Sequence, residues 1–171
     1  MRALLAVFAL TAAAVCFASM AQAQNCAMLF GRVDLRNCNY AINNMASANF
    51  NDGDIRGATF TSVNLSRASF LRTNAEGARF PTSNLSGANF TKAKLAKAGF
   101  QAANITNADF TEADLRHADL SGANMLTADF TKANLSGANL TGGNFGKADF
   151  SGATWTDGKK ICAIGSIGMC R

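Results

Sequence analysis

The chain is poor in charged residues, and this scarcity limits what it can do. Only 16% of its 171 residues are charged, whereas 49% are hydrophobic. Such a balance excludes both an intrinsically disordered chain and a highly charged one. Lysine and arginine number 16 and aspartate and glutamate 11, which gives a formal net charge of +5. This mild excess falls short of the dense basic stripe that a phosphate backbone demands.

The chain also contains a single histidine, a single proline and no C-x-x-C pair. His117 is distant in sequence from every cysteine, so a zinc site of the usual spacing is not expected. One domain is expected, because domains typically comprise about 100–200 residues. Glycine and phenylalanine are abundant, with 15 and 13 residues.

Residues 1–23 have the composition of a secretory signal peptide. Arg2 supplies a positive start, residues 3–18 are almost wholly apolar, and a small-x-small site permits cleavage after Ala21 or Ala23. The apolar run is shorter than the ~20 residues of a membrane span, although a retained anchor is the alternative. We therefore predict an exported protein, periplasmic or secreted and of bacterial type, with no membrane span after removal of the signal.

A large apolar residue recurs at nearly every position whose number is divisible by five, and we call this residue the centre. The pattern runs without insertion from Leu35 to Trp155, over 25 pentads. Two residues before the centre is the small position, usually alanine, and one residue before it is the face position, mostly asparagine or aspartate. A period of twenty is superposed on the period of five. One column of centres is always phenylalanine: Phe50, Phe70, Phe90, Phe110, Phe130 and Phe150. One column of face positions is always asparagine: Asn44, Asn64, Asn84, Asn104, Asn124 and Asn144.

A period of five fits neither an α-helix, whose apolar face recurs at 3.6 residues, nor a strand, which alternates at two. The chain must therefore turn after every centre, at two residues that we call the first and second corner positions. Glycine often occupies the second corner, as the positive φ of a type II turn requires, and Pro81 occupies a first corner. Four corners close a square coil in twenty residues, and successive coils stack at the β spacing of about 4.8 Å.

In such a coil the centre and the small position point inward, and only one of them has room to be large. The phenylalanine column then forms an internal stack with ring spacings within the favoured range of about 4.5–7 Å. The asparagine column forms a ladder of side-chain amides. Ala75 is the exception among the centres, so we expect a local dent or simple drift there, partly compensated by Val63 and Thr73 at small positions.

The tandem motif A-(D/N)-(L/F)-x-x resembles that of the pentapeptide-repeat proteins, as in residues 108–117, Ala-Asp-Phe-Thr-Glu-Ala-Asp-Leu-Arg-His. The resemblance covers residues 33–155 and implies an all-β fold, a right-handed quadrilateral parallel β-helix of about six coils. We expect an N-terminal cap over residues 24–32, the β-helix over 33–155 and a C-terminal cap over 156–171. Some members of that family resemble duplex DNA and act on DNA gyrase. That role requires a strongly acidic cytoplasmic rod, which a mildly basic, exported chain does not fit.

Four cysteines remain after removal of the leader, and an even number in an exported chain predicts disulfides. They fall at the two ends of a rod on the order of 30 Å long, whereas a disulfide needs Cα atoms within about 7 Å. The expected bridges are therefore Cys26 with Cys38 and Cys162 with Cys170. Cys16, within the leader, is a weak candidate for lipid modification because a bulky residue precedes it.

An open solenoid end exposes strand edges and a hydrophobic cross-section. We expect the disulfide-pinned tail to lay Ile161, Ile164 and Ile167 over the last cross-section. A homodimer through a solenoid end is the alternative.

Candidate chemistry is sparse. Asp109, Asp129 and Asp149 form a carboxylate column at coil spacing, which is the best metal site that the sequence suggests. Calcium needs about 6–8 oxygen ligands, so neutralisation by Lys132 and Lys147 is the favoured interpretation.

No catalytic residue and no cofactor are predicted. His117 projects outward without a carboxylate or serine placed to partner it, so we interpret it as a surface histidine.

Every aromatic residue after the leader lies at an inward centre, which leaves no stacking platform for single-stranded nucleic acid. One column of second corners mixes charges and suits pairing between coils. It comprises Arg32, Asp52, Arg72, Lys92, Glu112 and Lys132.

The sequence thus predicts a non-catalytic, exported structural or protein-interaction module. Its partner would be an unknown protein or an envelope surface, and not a nucleic acid. The alternative is a small-ligand or cation-binding envelope protein that uses the column of Asp109, Asp129 and Asp149 or the dent at Ala75.

Overall fold

The chain forms stacked four-sided coils that are joined by parallel backbone pairing. The computed structural model describes residues 33–41 and 43–171, so the predictions for the signal peptide, the N-terminal cap, Cys26 and Arg32 lie outside the described residues. Two strands, β1 (Asn39–Ala41) and β2 (Thr59–Thr61), pair in parallel. In the part of the chain that the structure describes, no helix is long and apolar enough to cross a membrane.

Beyond these strands, single-residue parallel bridges join a face position to the one twenty residues later. They run from Asp34 with Asp54 to Asn134 with Thr154. The register of twenty that the sequence predicts is therefore kept from the first described coil to the last.

The centres and small positions form the core, as predicted. In the phenylalanine column, successive rings are fully buried and stack with centroids 4.5–5.2 Å apart. A second column, which the sequence analysis did not single out, stacks at 5.1–5.2 Å and consists of Tyr40, Phe60, Phe80 and Phe100. The two columns meet edge to face at 5.7–6.0 Å. Stacked and edge-on contacts are both favourable ring geometries, so adjacent sides of the rod interlock.

Most corners are hydrogen-bonded turns with positive φ at their second position. In one example the Ala58 N–H donates to the Ile55 carbonyl at 3.0 Å, and the intervening Gly57 has a φ of 66°. Among the described residues, fifteen other than glycine also have positive φ, between 52° and 62°. Lys97 is one of them, although a Cβ disfavours this conformation. Its N–H donates at 2.8 Å to the Arg116 carbonyl of the next coil, so pairing between coils holds the turn.

The hydrogen bonds of a pentad explain why the face position is so often asparagine or aspartate. Around Leu65, the N–H groups of the face position, the centre, the second corner and the next small position donate to backbone carbonyls at 2.7–3.0 Å. The first-corner N–H, that of Ser66, donates instead to the side-chain Oδ1 of Asn64 at 3.1 Å. The amide or carboxylate thus satisfies the fifth donor of the pentad. Where Arg79 holds the face position, the first corner is Pro81, which has no N–H.

The C-terminal cap, residues 156–171, closes the last coil by antiparallel pairing, with bridges at Ile161 and Ile167. The Phe150 N–H donates to the Ser166 carbonyl at 2.9 Å, and the Trp155 N–H donates to the Lys160 carbonyl at 2.7 Å. The strand edge that the final coil would expose is therefore covered by the cap.

A disulfide joins Cys162 to Cys170, with Cα atoms 4.9 Å apart. Cys38 is also disulfide-bonded. Cys162 and Ser166 are the cap side chains that face inward, with 2% and 0% of their surface exposed.

The prediction that the three isoleucines of the tail cover the core is wrong. The exposed fractions are 60% for Ile161, 88% for Ile164 and 45% for Ile167. In the final coil Phe150 and Ala153 are completely buried, whereas Phe145 and Trp155 stay partly exposed even with the cap in place. The backbone N–H groups of the final coil have no further coil to supply carbonyl acceptors, and the cap supplies them. The resulting hydrogen bonds turn Cys162 and Ser166 inward and the isoleucines outward.

Candidate interaction surfaces

The carboxylate column is used for turn capping. Asp109, Asp129 and Asp149 each accept, through Oδ1, the N–H of the first corner two residues later, at 2.8 Å in every case. The described residues contain no group of three or more histidine, cysteine, aspartate or glutamate side chains that could hold a metal ion. The expected neutralisation by Lys132 and Lys147 is also not seen, because neither lysine forms an ion pair within residues 33–41 and 43–171.

His117 is exposed at a second corner, with a φ of 58°. Its ring packs over Gly137 of the next coil, so closely that a Cβ at that position would collide with Nδ1. The adjacent Arg116 is engaged with Asp114 at 2.7 Å. No nucleophile and base are brought together at this corner.

The column at Ala75 presents no opening to solvent. Ala75 is completely buried, as are Thr73 and, to within 1%, Val63 at neighbouring small positions. The Thr73 hydroxyl donates to the Phe50 carbonyl of the preceding coil at 2.7 Å. A ligand has no surface to contact at this point of the wall.

One side of the rod carries bidentate pairs of aspartate and arginine within single coils. Arg56 donates Nε and Nη2 to the two carboxylate oxygens of Asp54 at 2.9 and 2.6 Å. Arg116 holds Asp114 in the same way, at 2.8 and 2.7 Å. The hydrogen bond from Arg116 lowers the pKa of the Asp114 carboxyl, and partial burial opposes that shift. Because these arginines are already paired, this side is poorly suited to capturing an external anion.

Pairing between coils occurs at a neighbouring corner, as the mixed column predicted. Arg72 contacts Asp52 of the preceding coil at 2.6 Å, and Lys92 contacts Glu112 of the next at 3.6 Å.

The asparagine column forms the expected ladder, in which a side-chain amide donates to the amide oxygen one coil below. The distances are 3.0 Å for Asn64 to Asn44 and 3.3 Å for Asn104 to Asn84. This part of the surface is polar and regular and has no reactive group.

The model of the pentapeptide-repeat family matches the chain in eight copies, over residues 44–80, 83–122, 108–146 and 123–154, which is more than half of its length. The chain belongs to the pentapeptide-repeat family. Its fold is accordingly the right-handed quadrilateral parallel β-helix of that family. Pentapeptide-repeat proteins are generally structural or interaction modules without catalytic activity.

Solved pentapeptide-repeat structures resemble this one along most of its length. HetL, which is involved in heterocyst differentiation regulation in the cyanobacterium Nostoc sp. strain PCC 7120, is 30% identical, with a TM-score of 0.54 over 75% of this chain and 63% of HetL. A trypsin-treated form of QnrB1, a plasmid-mediated fluoroquinolone resistance protein, is 24% identical, with a TM-score of 0.68 over 72% of this chain and 65% of QnrB1. The present chain thus spans less than two-thirds of either protein. A search of curated proteins gave no match.

The C-terminal end of this pentapeptide-repeat rod differs from its sides. In the described residues, every exposed large hydrophobic side chain belongs to one nine-residue segment of the cap. These side chains are Ile161, Ile164, Ile167 and Met169. We call these four side chains the cap tip. Lys159, Lys160 and Arg171 are exposed beside them in the sequence. This surface was not predicted from the sequence, because the isoleucines were expected to cover the interior.

Proposed function

We propose that the protein is an exported, non-catalytic rod that serves as a structural or protein-interaction module. The observation that carries the proposal is the completeness of the core. From Phe50 to Leu135 the centres are buried without exception, so binding must use the outer surface. The apolar leader of residues 1–23 and the Cys162–Cys170 disulfide support the exported location.

Capture of partners tests the interaction role. The full chain, tagged and expressed in a bacterial host, would be cross-linked in the cell envelope and its covalent partners identified by mass spectrometry. A chain with Phe70→Ala, Phe90→Ala and Phe110→Ala, which removes three buried rings together, serves as the misfolded control. We expect a discrete set of partners that the control does not capture; identical sets for both chains would contradict the role.

Calcium titration separates this role from the cation-binding alternative. We expect the melting temperature of the full chain to be independent of calcium, since Asp109, Asp129 and Asp149 already accept backbone N–H groups. Asp129→Asn is the matched control, because its amide oxygen can still accept the Thr131 N–H. A calcium-dependent rise in melting temperature that Asp129→Asn abolishes would overturn the proposal in favour of a cation-binding protein.

Intact-mass measurement without reductant tests export. Protein taken from its native compartment should begin at Gln22 or Gln24 and carry two intramolecular disulfides. A chain that retains residue 1 and has four free thiols after residue 23 would contradict the exported location.

A further inference from the structure

We propose that the C-terminal cap docks the rod onto an anionic lipid surface. The cap tip would enter the boundary between headgroups and acyl chains, while Lys159, Lys160 and Arg171 contact the headgroups. This inference rests on the proposed interaction role and names the kind of surface that the end of the rod contacts.

The apolar exposure is concentrated at one end. Ile164 leaves 88% of its surface exposed, and Met169 56%. Large apolar side chains gathered at one exposed site commonly mark an interaction surface. No large hydrophobic residue elsewhere in residues 33–41 and 43–171 is exposed, so the feature is specific to the cap.

The outward direction of the cap tip is fixed by the cap itself. The Cys162–Cys170 disulfide closes the cap, and the backbone N–H of Arg171 donates to Ser166 Oγ at 3.2 Å. The Cys162 N–H donates to the Ala153 carbonyl of the last coil at 2.9 Å. These constraints keep the isoleucines from turning inward, so their exposure is a property of the folded cap.

The charge of the cap selects the type of partner. Residues 156–171 contain three cationic side chains and one acidic side chain, Asp157, which accepts the N–H groups of Lys159 and Lys160 at 2.9 Å. Peripheral proteins bind anionic membranes by inserting apolar side chains and by attracting the lipid headgroups with basic residues. The cap offers both kinds of side chain.

A second copy of the chain fits this end less well. A two-fold contact between two caps brings the same patch against itself, so it places like charges close together. Aliphatic side chains with adjacent lysines suit a lipid surface better.

Trp155 supplies a local reporter of this contact. It is the only tryptophan of the chain, it is half-buried in the last coil, and its N–H donates to the Lys160 carbonyl at 2.7 Å. Vesicles with brominated acyl chains quench tryptophan only at close range. Binding through another part of the full chain therefore does not reproduce the signal.

The full chain would be titrated with brominated phosphatidylcholine vesicles, with and without phosphatidylglycerol. We expect quenching only with the anionic vesicles, weakened by salt. Lys159→Gln should weaken the apparent affinity roughly fivefold, since one cation near an anionic surface contributes about that factor. Ile164→Ser should weaken it further. Lys97→Gln, a change of the same charge on the side of the rod, is the matched control and should leave the affinity unchanged.

Three outcomes would overturn the inference. The first is the absence of quenching with anionic vesicles, and the second is an equal loss of affinity for Lys97→Gln and Lys159→Gln. The third is the detection of a dimer by sedimentation velocity, if Ile164→Ser dissociates that dimer. This result would show that the cap tip binds a second copy of the chain. If vesicle binding fails while envelope proteins are still captured, the lipid surface is wrong and the interaction role stands.

Discussion

The coils and the C-terminal cap make their turns in different ways. In the coils, residues as unsuited to positive φ as Thr82 and Lys97 hold second corners, and the N–H of each donates to a carbonyl of the next coil. In the cap, every positive φ belongs to glycine, at Gly158, Gly165 and Gly168. A corner inside the stack is shaped by hydrogen bonds to the next coil, whereas the cap has no coil beyond it. Within the coils, a neighbouring coil can therefore impose positive φ on a turn. The cap has no such neighbour, so its turns depend on glycine in its own sequence.

The two regions also place their apolar side chains on opposite sides. The coils direct large centres inward, and the cap directs its isoleucines outward because its inward positions are set by pairing with the final coil. Four experiments test whether the coils and the cap differ in this way.

The largest difference should appear between a core ring and a residue of the cap tip. Phe90 stacks on Phe70 at 4.5 Å and on Phe110 at 4.8 Å, and it is completely buried. Phe90→Ala should lower the free energy of unfolding by about 3–5 kcal/mol. Ile164→Ser should change it by less than about 0.5 kcal/mol, as is usual for exposed sites. Urea denaturation measures both, and similar costs would mean that the cap tip is part of the core.

Removal of the cap disulfide should loosen the cap and leave the coils intact. In the chain-entropy account, a cross-link over so short a loop is worth roughly 2–3 kcal/mol. In a chain with Cys162→Ser and Cys170→Ser, amide exchange should accelerate at Phe150 and Trp155, whose N–H groups donate to the cap. The Phe90 amide should exchange as before. Equal acceleration at all three amides would show that cap and coils unfold together.

A glycine of the cap should not tolerate a side chain. At Gly165, where φ is 80°, a Cβ would meet no atom within 4 Å, so Gly165→Ala isolates the backbone preference. We expect a loss of about 1 kcal/mol in the free energy of unfolding. Gly168→Ala should cost more, because its Cβ would lie 2.5 Å from the Gly146 carbonyl oxygen. Thermal melting that ranks the two in the opposite order would contradict this account.

The smallest effect should be a gain within the coils. Ala102 has a φ of 52°, and glycine occupies the same corner in the next two coils, at Gly122 and Gly142. Ala102→Gly should relieve backbone strain and stabilise the protein by about 0.5–1 kcal/mol, after part of the gain is lost to the greater freedom of glycine in the unfolded chain. Gly122→Ala is the reverse control. Destabilisation by Ala102→Gly would contradict this expectation, because it would mean that a side chain at the second corner stabilises the stacked coils.

Much of the fold could be predicted because each coil repeats the same physical demands. The centre spacing of twenty fixes the register, and the alternation of Phe90 with small neighbours fixes which side chains face inward. The positive φ of Lys97 could not be predicted locally, because the next coil imposes it. The role of face positions such as Asn64 became clear only when every N–H group of a pentad was assigned a partner.

The ends were less predictable because no repeat governs them. The exposed cross-section of an open end suggested that Ile161, Ile164 and Ile167 would cover it, but pairing with the last coil directs Cys162 and Ser166 inward instead. Likewise, the aspartate column suggested a cation site, whereas its oxygens are used by the turns. A surface residue's chemistry is hard to infer from sequence when the same residue type also has a role in the backbone.

The bridges between face positions have a consequence for how the length of the chain can change. Each bridge joins residues twenty apart, as Asn84 joins Asn104. Insertion or deletion of one whole turn leaves every later column aligned with the same wall. An insertion or deletion of five residues keeps the five-residue apolar period, but it moves every later residue to the next side of the square coil. Aromatic rings, asparagine amides and ion-paired side chains would then stack on residues of a different column. A chain of this design can therefore lengthen or shorten readily only in units of twenty residues.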